Sequence, residues 1–473
     1  MVNAARPIAA GFFTVGLLAL PPAVVAARGG EGHAPVFLAT FGFCLFLAGL
    51  LRFTTQHTPK GASLRLTRAG GVVLVAGLWL LLPLAATPAV AIVSGLPPLA
   101  AWLEAVSAFT TTGATALRQG PASLYVWLGL LQWTGGLLTI VAAVAVLAPA
   151  GLGGLPDRTP RGGTTLDVVD LTAVLREIAP AYGGATLLAV IVLLVSGESP
   201  YVAFTLATAV VSAGAHLPPE AQLALTLDES PKWLLLPFLL WSATSVRWHR
   251  ALLTRRINAA PEQTESLVIL GWWAVLGIVL GAILYRSADV PSFEAIRDGL
   301  FSAASLISTS GIGPREGTYM SLPLGLVILV VLLGGGALSV AGGLKMLRLR
   351  AILLNTRGGL MRLVYPHLVQ PAAYEGVGVG MLGIWAGAAS LAVVFAVCVI
   401  ALSPGLPGLD AALAAAAAVV TNTGPVYDAG GAGWPPLSSL PAGSVLVAGL
   451  GMVAGRLEMI GLLVVIHLAL WRT

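Results

Sequence analysis

The sequence predicts an all-α polytopic membrane protein, an N-terminal helical hairpin followed by four copies of one helical unit. Three observations predict it. Hydrophobic residues make up 57% of the 473 positions and charged ones 10%, with a mean hydropathy of +0.91, whereas an average soluble domain is roughly 25% charged. Apolar runs long enough for a bilayer, about 20 residues each, recur along the chain. Between successive pairs of runs lies a shorter apolar piece, and four times it ends in small residues and a glycine.

The first run, 8–27, follows Arg6 and ends in Val-Ala-Ala, the outline of a secretory signal. Its length, and a second run at 34–51 directly after it, favour a retained hairpin. Further runs lie at 71–93, 123–150, 183–197, 233–254, 266–285, 322–348, 376–402 and 442–470, so ten spans are expected. The pieces at 99–118, 199–216, 292–312 and 408–425 are too short to cross twice and too apolar for surface loops. They are expected to be re-entrant, which membrane depth permits only where protein or water covers the backbone. Their glycines, Gly113, Gly214, Gly311 and Gly424, recur at intervals of 101, 97 and 113 residues, a periodicity that signals internal repetition. The expected division is a hairpin over 1–60 and repeats over 61–155, 156–262, 263–362 and 363–473.

Charge placement gives the orientation. With a cytoplasmic N-terminus, 18 of the 25 Lys and Arg fall in inner segments and 6 in outer ones, Arg456 lying inside the last span. That bias follows the positive-inside rule. The basic residues sit between spans, so the net charge of +5 is not a nucleic-acid footprint. Cys44 and Cys398 lie in apolar runs and offer no disulfide or metal framework. The GxGxxG at 378–383 opens a span and follows no strand, which argues against dinucleotide binding. Asp289, Glu294 and Asp298 are too scattered for a lipid-directed enzyme, so neither catalysis nor a bound cofactor is expected. An organic-substrate carrier would show inverted repeats with ionisable midplane residues; these repeats all run one way.

Four equivalent re-entrant turns suggest a pseudo-fourfold ring of helix–pore helix–filter turn–helix units. Backbone carbonyls in such a ring can replace the water shell of a monovalent cation. Glycine brings the chain close to the axis, and each short helix directs about half a negative charge toward it. No Asp or Glu lies in the turns, which favours carbonyl coordination of potassium over a carboxylate site. A single Thr-Thr-Gly would more simply be a helix-packing site; four at matched positions point to a pore.

The residues resemble the Trk/Ktr/HKT superfamily of potassium transporters, and within it the TrkH branch, over nearly the whole chain. The resemblance is carried by 104–115 (EAVSAFTTTGAT), 132–149 (QWTGGLLTIVAAVAVLAP), 334–348 (GGGALSVAGGLKMLR), 421–425 (TNTGP) and 455–458 (GRLE). It implies a selectivity filter of Thr111, Thr112 and Gly113; Ser212, Ala213 and Gly214; Thr309, Ser310 and Gly311; and Asn422, Thr423 and Gly424. It implies a gating loop around Gly334, Gly335, Gly336, Gly342 and Gly343, and five glycines in ten positions hold a helix poorly in any case. Arg456 reads either as bonded to Glu458 or a nearby carbonyl, or as a charge at the inner mouth that limits conduction. Lys345 reads as a gate residue or an interfacial anchor. The resemblance further implies potassium uptake in a bacterial cytoplasmic membrane, a homodimer, and a cytosolic nucleotide-binding regulatory subunit (TrkA-like). The basic stretch 345–362 could meet that partner or anionic membrane lipid. Passive and proton- or sodium-coupled flow both fit. The second turn, SAGAH, departs from the family by lacking threonine, and the loop, LSVAGG, by having few hydroxyls. These departures leave weak sodium/potassium selectivity, or a poorly conducting subunit, as the alternative. His216 is expected in a vestibule or on the surface.

Overall fold

The computed structural model describes residues 2–55, 65–149, 165–167, 169–255, 263–287, 291–365, 381–431, 433–459 and 461. The domain boundaries expected at 60, 155 and 262, and Gly378 and Gly380 of the GxGxxG run, lie outside these residues. The boundary at 362 falls inside a helix.

The hairpin is α1 (Val2–Leu18) and α2 (Leu20–Arg28), end to end, turned back on α3 (Ala34–Phe53). Glu31 at its tip accepts from the amide and hydroxyl of Ser123, which fastens the hairpin to the first repeat. That repeat holds α4 (Arg68–Ser94), the short α5 (Pro98–Phe109) and α6 (Ala122–Ala142), the last prolonged by a π turn over Ala143–Leu147. The second holds α7 (Val169–Val195), the short α8 (Pro200–Ser212), α9 (Pro219–Leu227), α10 (Ser230–Ala243) and α11 (Val246–Leu253). The third holds α12 (Gln263–Ser287), the short α13 (Ser292–Ile307), α14 (Leu324–Leu333) and α15 (Met346–Val364). The fourth holds α16 (Met381–Leu402), the short α17 (Leu409–Thr421) and α18 (Ala442–Arg456). The only strands among the described residues form a small antiparallel ribbon, β1 (Arg65–Thr67) on β2 (Thr165–Asp167), which joins the chain ahead of α4 to the chain ahead of α7.

Seven of the described helices are long and apolar enough to cross a bilayer, and the protein is a multi-pass membrane protein. The other three expected spans are not continuous helices. The second span of repeat two breaks at Thr244 and Ser245, that of repeat three over 334–345, and that of repeat four after Arg456, where Glu458 and Met459 take φ of 57°. Hydropathy locates an apolar segment but does not register a break in its hydrogen bonding.

Burial follows the layering. Leu187, Val195, Ile278 and Ile400 on the long helices are more than half exposed, as suits a surface solvated by lipid chains. The short helices form the core: every residue from Leu103 to Thr112, and from Ala414 to Gly424, is buried. Small side chains make this possible without a hydrophobic drive between helices; a Cβ on Gly299 of α13 would collide with the backbone of Gly277 and Gly281 on α12.

Candidate functional site

Each short helix starts on a proline or glycine signal. Pro97 precedes α5, which opens on Pro98; Ser199 caps α8, which opens on Pro200, by accepting from Val202 N at 3.2 Å; Pro291 precedes α13 and Gly408 precedes α17. Each stops in the same way. One residue turns left-handed, with φ of 54° at Thr111, 53° at Ala213, 59° at Thr309 and 57° at Asn422. The next amide reaches back five residues, as in a Schellman cap: Thr112 to Ser107 at 2.8 Å, Gly214 to Ala209 at 2.9 Å, Ser310 to Ser305 at 3.0 Å and Thr423 to Ala418 at 2.8 Å. A left-handed threonine is a true outlier, and outliers of this kind persist where the surroundings over-determine them.

The four turns meet in chain order and close a ring. Gly113 of turn one lies against Ala215 of turn two, where a Cβ would come within 2.5 Å. Ser310 of turn three donates its hydroxyl to Gly214 O at 2.9 Å. Gly311 packs on Thr423 and Pro425 of turn four. Gly424 N donates to Thr112 O at 2.6 Å, back in turn one. All twelve residues that the resemblance implies therefore lie in or beside one ring.

Matching the turns on their left-handed residue corrects the second triplet. Ser212 is the last residue of α8, equivalent to Thr110, Ser308 and Thr421, and its hydroxyl bonds back to Thr208 O at 2.6 Å. The turn itself is Ala213, Gly214 and Ala215, so alanine stands where the other turns have Gly113, Gly311 and Gly424. Matching glycine with glycine in the sequence placed this turn one residue early.

Beneath the helix ends, the glycine-rich segment between α14 and α15 forms a loop across the base of the ring. Gly336 N donates to Ala243 O at 2.8 Å, and Leu338 O accepts from Val246 N at 3.2 Å, so the loop plugs the break between α10 and α11. Gly342 N donates to Thr309 Oγ1 at 2.8 Å. A side chain on Gly342 would collide with Thr421 O. Arg456, 3% exposed, spans the remaining side: Nε donates to Thr110 O at 2.6 Å, one terminal nitrogen to Val340 O at 2.6 Å, and the other to the Thr111 hydroxyl. It does not pair with Glu458. That carboxylate is 2.7 Å from Arg348 and 3.9 Å from Lys345, whose ammonium also donates to Ala341 O. Lys345 is thus buried at the foot of the loop and does not anchor at an interface.

Two groups of the site, Glu265 and Glu104, escaped the sequence, and a third, Asn422, was expected only as a member of the filter triplet. Glu265 of α12, buried, accepts with Oε1 from Ala337 N at 2.8 Å and Leu347 N at 2.9 Å, gripping the loop at both ends. Asn422 donates to Thr112 Oγ1 at 3.0 Å and Met452 O at 2.8 Å. Glu104 of α5 holds the Thr115 hydroxyl and Ala116 N, the latter at 3.3 Å, and faces His216 at 3.2 Å. His216 is 1% exposed, which overturns the expectation of a vestibule or surface residue. Glu104 carried one signal, a lone carboxylate in the apolar piece 98–109, whereas Glu265 sits among the polar residues 262–266 and carried none.

No family model matches the chain. Its relatives do. It is 27% identical over 478 residues to the Trk system potassium uptake protein TrkH of Halomonas elongata, covering 96% of each chain. It is 28% identical over 407 residues to TrkI of the same organism, covering 80% of each. The crystal structure of the potassium transporter TrkH from Vibrio parahaemolyticus superposes with a TM-score of 0.83 at 24% identity, over 100% of this chain and 99% of that one. In sequence over nearly its full length the chain is similar to Trk system potassium uptake proteins named TrkH, and in fold it is similar to a TrkH structure.

Proposed function

We propose that this chain is the ion-conducting subunit of a potassium uptake system. The ring of turns acts as its filter, and the loop over 334–345 as its gate. The closed ring carries the reading. Four helix ends and four strands of carbonyls gather at one place, and carbonyl dipoles in that arrangement substitute for a cation's hydration shell. The lateral bonds to Thr112 O and Gly214 O leave each oxygen a second lone pair. The names of the TrkH and TrkI relatives support potassium as the ion. The loop and Arg456 touch the base of the ring at turns one, three and four, so an ion leaving the ring meets them next.

The charge bias over the inner loops supports a bacterial cytoplasmic membrane with the N-terminus inside. The hairpin and four repeats, with the boundaries given above, are the units of the pore. By resemblance the subunit works as a homodimer with a cytosolic nucleotide-binding partner. Ala215 in place of a glycine favours one second reading, a pore that discriminates weakly between sodium and potassium.

Growth of a potassium-uptake-deficient bacterium on low potassium, together with rubidium flux into liposomes holding the purified chain, tests both readings. Rubidium flux that sodium competes poorly is expected. Flux that sodium blocks equally supports the second reading, and no flux removes both.

A further inference from the structure

Three of the four turns are tied from the base of the ring through their left-handed residue. Thr111 is held by Arg456, Thr309 by Gly342 N of the loop, and Asn422 reaches into α18 at Met452 O. Ala213, at the same place in turn two, has no polar side chain with which to make such a tie. Turn two is held from the opposite side, where the chain leaves the ring. There Gln132 of α6 grips the backbone of His216 twice, accepting from its amide at 3.1 Å and donating to its carbonyl at 3.3 Å. The imidazole Nε2 lies 3.2 Å from Glu104 Oε1, and Glu104 in turn holds Thr115 and Ala116 on the chain leaving turn one. Both side chains are within 2% of complete burial.

Resting on the filter reading above, we propose that Glu104 and His216 are positioning residues for ion selectivity. They form a strut that sets the gap between turns one and two, in place of the base tie and the glycine that the other repeats have. The physics favours a strut of this kind. A carbonyl cage rejects the smaller sodium ion only while its oxygens are kept from closing in, whether the cage acts by size or by field strength. A carboxylate and an imidazole buried together keep their separation, because parting them takes from the buried imidazole the partner of its Nε2. The Gln132 clamp transmits that separation to the backbone beside Ala215, which packs directly on Gly113.

Rubidium uptake and its competition by sodium, in liposomes holding the full chain, test the strut. His216→Met keeps volume and removes the hydrogen bond; it should lower the rubidium-over-sodium preference at least fivefold while maximal rubidium flux changes less than twofold. His216→Gln, whose amide can donate to Glu104, should restore most of the preference. The double variant with Glu104→Ala should be no worse than the poorer single one. If His216→Met does not elute as the wild type does, Glu104→Asp, with its reach cut by one methylene, must lower the preference in the same direction. An unchanged preference in these variants, or a loss that His216→Gln does not restore, overturns the strut while leaving the filter reading intact. A wild-type chain without flux sinks the filter reading itself.

Discussion

Arg456 is the residue on which ring and loop depend together. An arginine at the bilayer centre costs about 2.5–3.5 kcal/mol on insertion scales, and here it is offset by three bonds, to Thr110 O, Val340 O and the Thr111 hydroxyl. Arg456→Ala removes the charge beside the ring and frees the loop from turn one, so rubidium flux into liposomes should rise severalfold. Unchanged flux would count against any barrier role. Gly424 acts by space alone, since its φ is not among the positive values. A Cβ there would collide with Ala114 N, across the contact that closes the ring. Gly424→Ala should therefore part turns four and one and lower the rubidium-over-sodium preference about tenfold, which the same competition assay reads as a ratio.

Among the elements, the loop between α14 and α15 closes its own neck, with Leu344 N donating to Leu332 O at 2.8 Å and Met346 N to Gly335 O at 2.9 Å, and is otherwise defined by what grips it. Glu265 supplies one acceptor for two amides at its ends. Glu265→Ala orphans both, at about 1–3 kcal/mol each, and should lower the thermal midpoint of the detergent-solubilised protein and raise basal flux. Glu265→Gln keeps an acceptor in place and should stay near wild type on both measures. At the far end of α13, Glu294 and Arg315 form an ion pair, with Arg315 also 2.6 Å from Asp298. The hydrogen bond from Arg315 holds the Glu294 carboxyl below the usual carboxylate range. A depressed carboxyl stabilises the fold above the ordinary range, and that contribution is lost as pH falls through the depressed value. The thermal midpoint should thus be level near neutrality and fall in acid, with a shallower acid limb in Glu294→Gln.

For the whole molecule, the topology is open to direct test. Cys44 and Cys398 are both buried, so the native chain should react little with a membrane-impermeant maleimide. Ser439, exposed just ahead of α18, and Thr254, exposed after α11, lie at opposite ends of their spans. Ser439→Cys should label in intact cells and Thr254→Cys only after lysis; the reverse pattern would invert the orientation read from the Lys and Arg bias.

Membrane class, the order of spans and short helices, and the fourfold repetition were legible in the amino-acid sequence, because solvent selects hydropathy locally and a duplicated unit repeats its pattern. So was the failure of helix at Gly334–Gly343, since glycine acts on its own backbone. The register of the second turn was not. The left-handed position is defined by the amide that reaches back to the helix, and that falls on Gly214 bonding to Ala209 whatever residue follows. Nor could any local pattern reveal Glu265 gripping amides 72 and 82 residues away, His216 facing Glu104 across 112, or Arg456 reaching Thr110 across 346. These pairings are decided by how helices from different repeats stack around one axis, and only the assembled fold brings them within bonding distance.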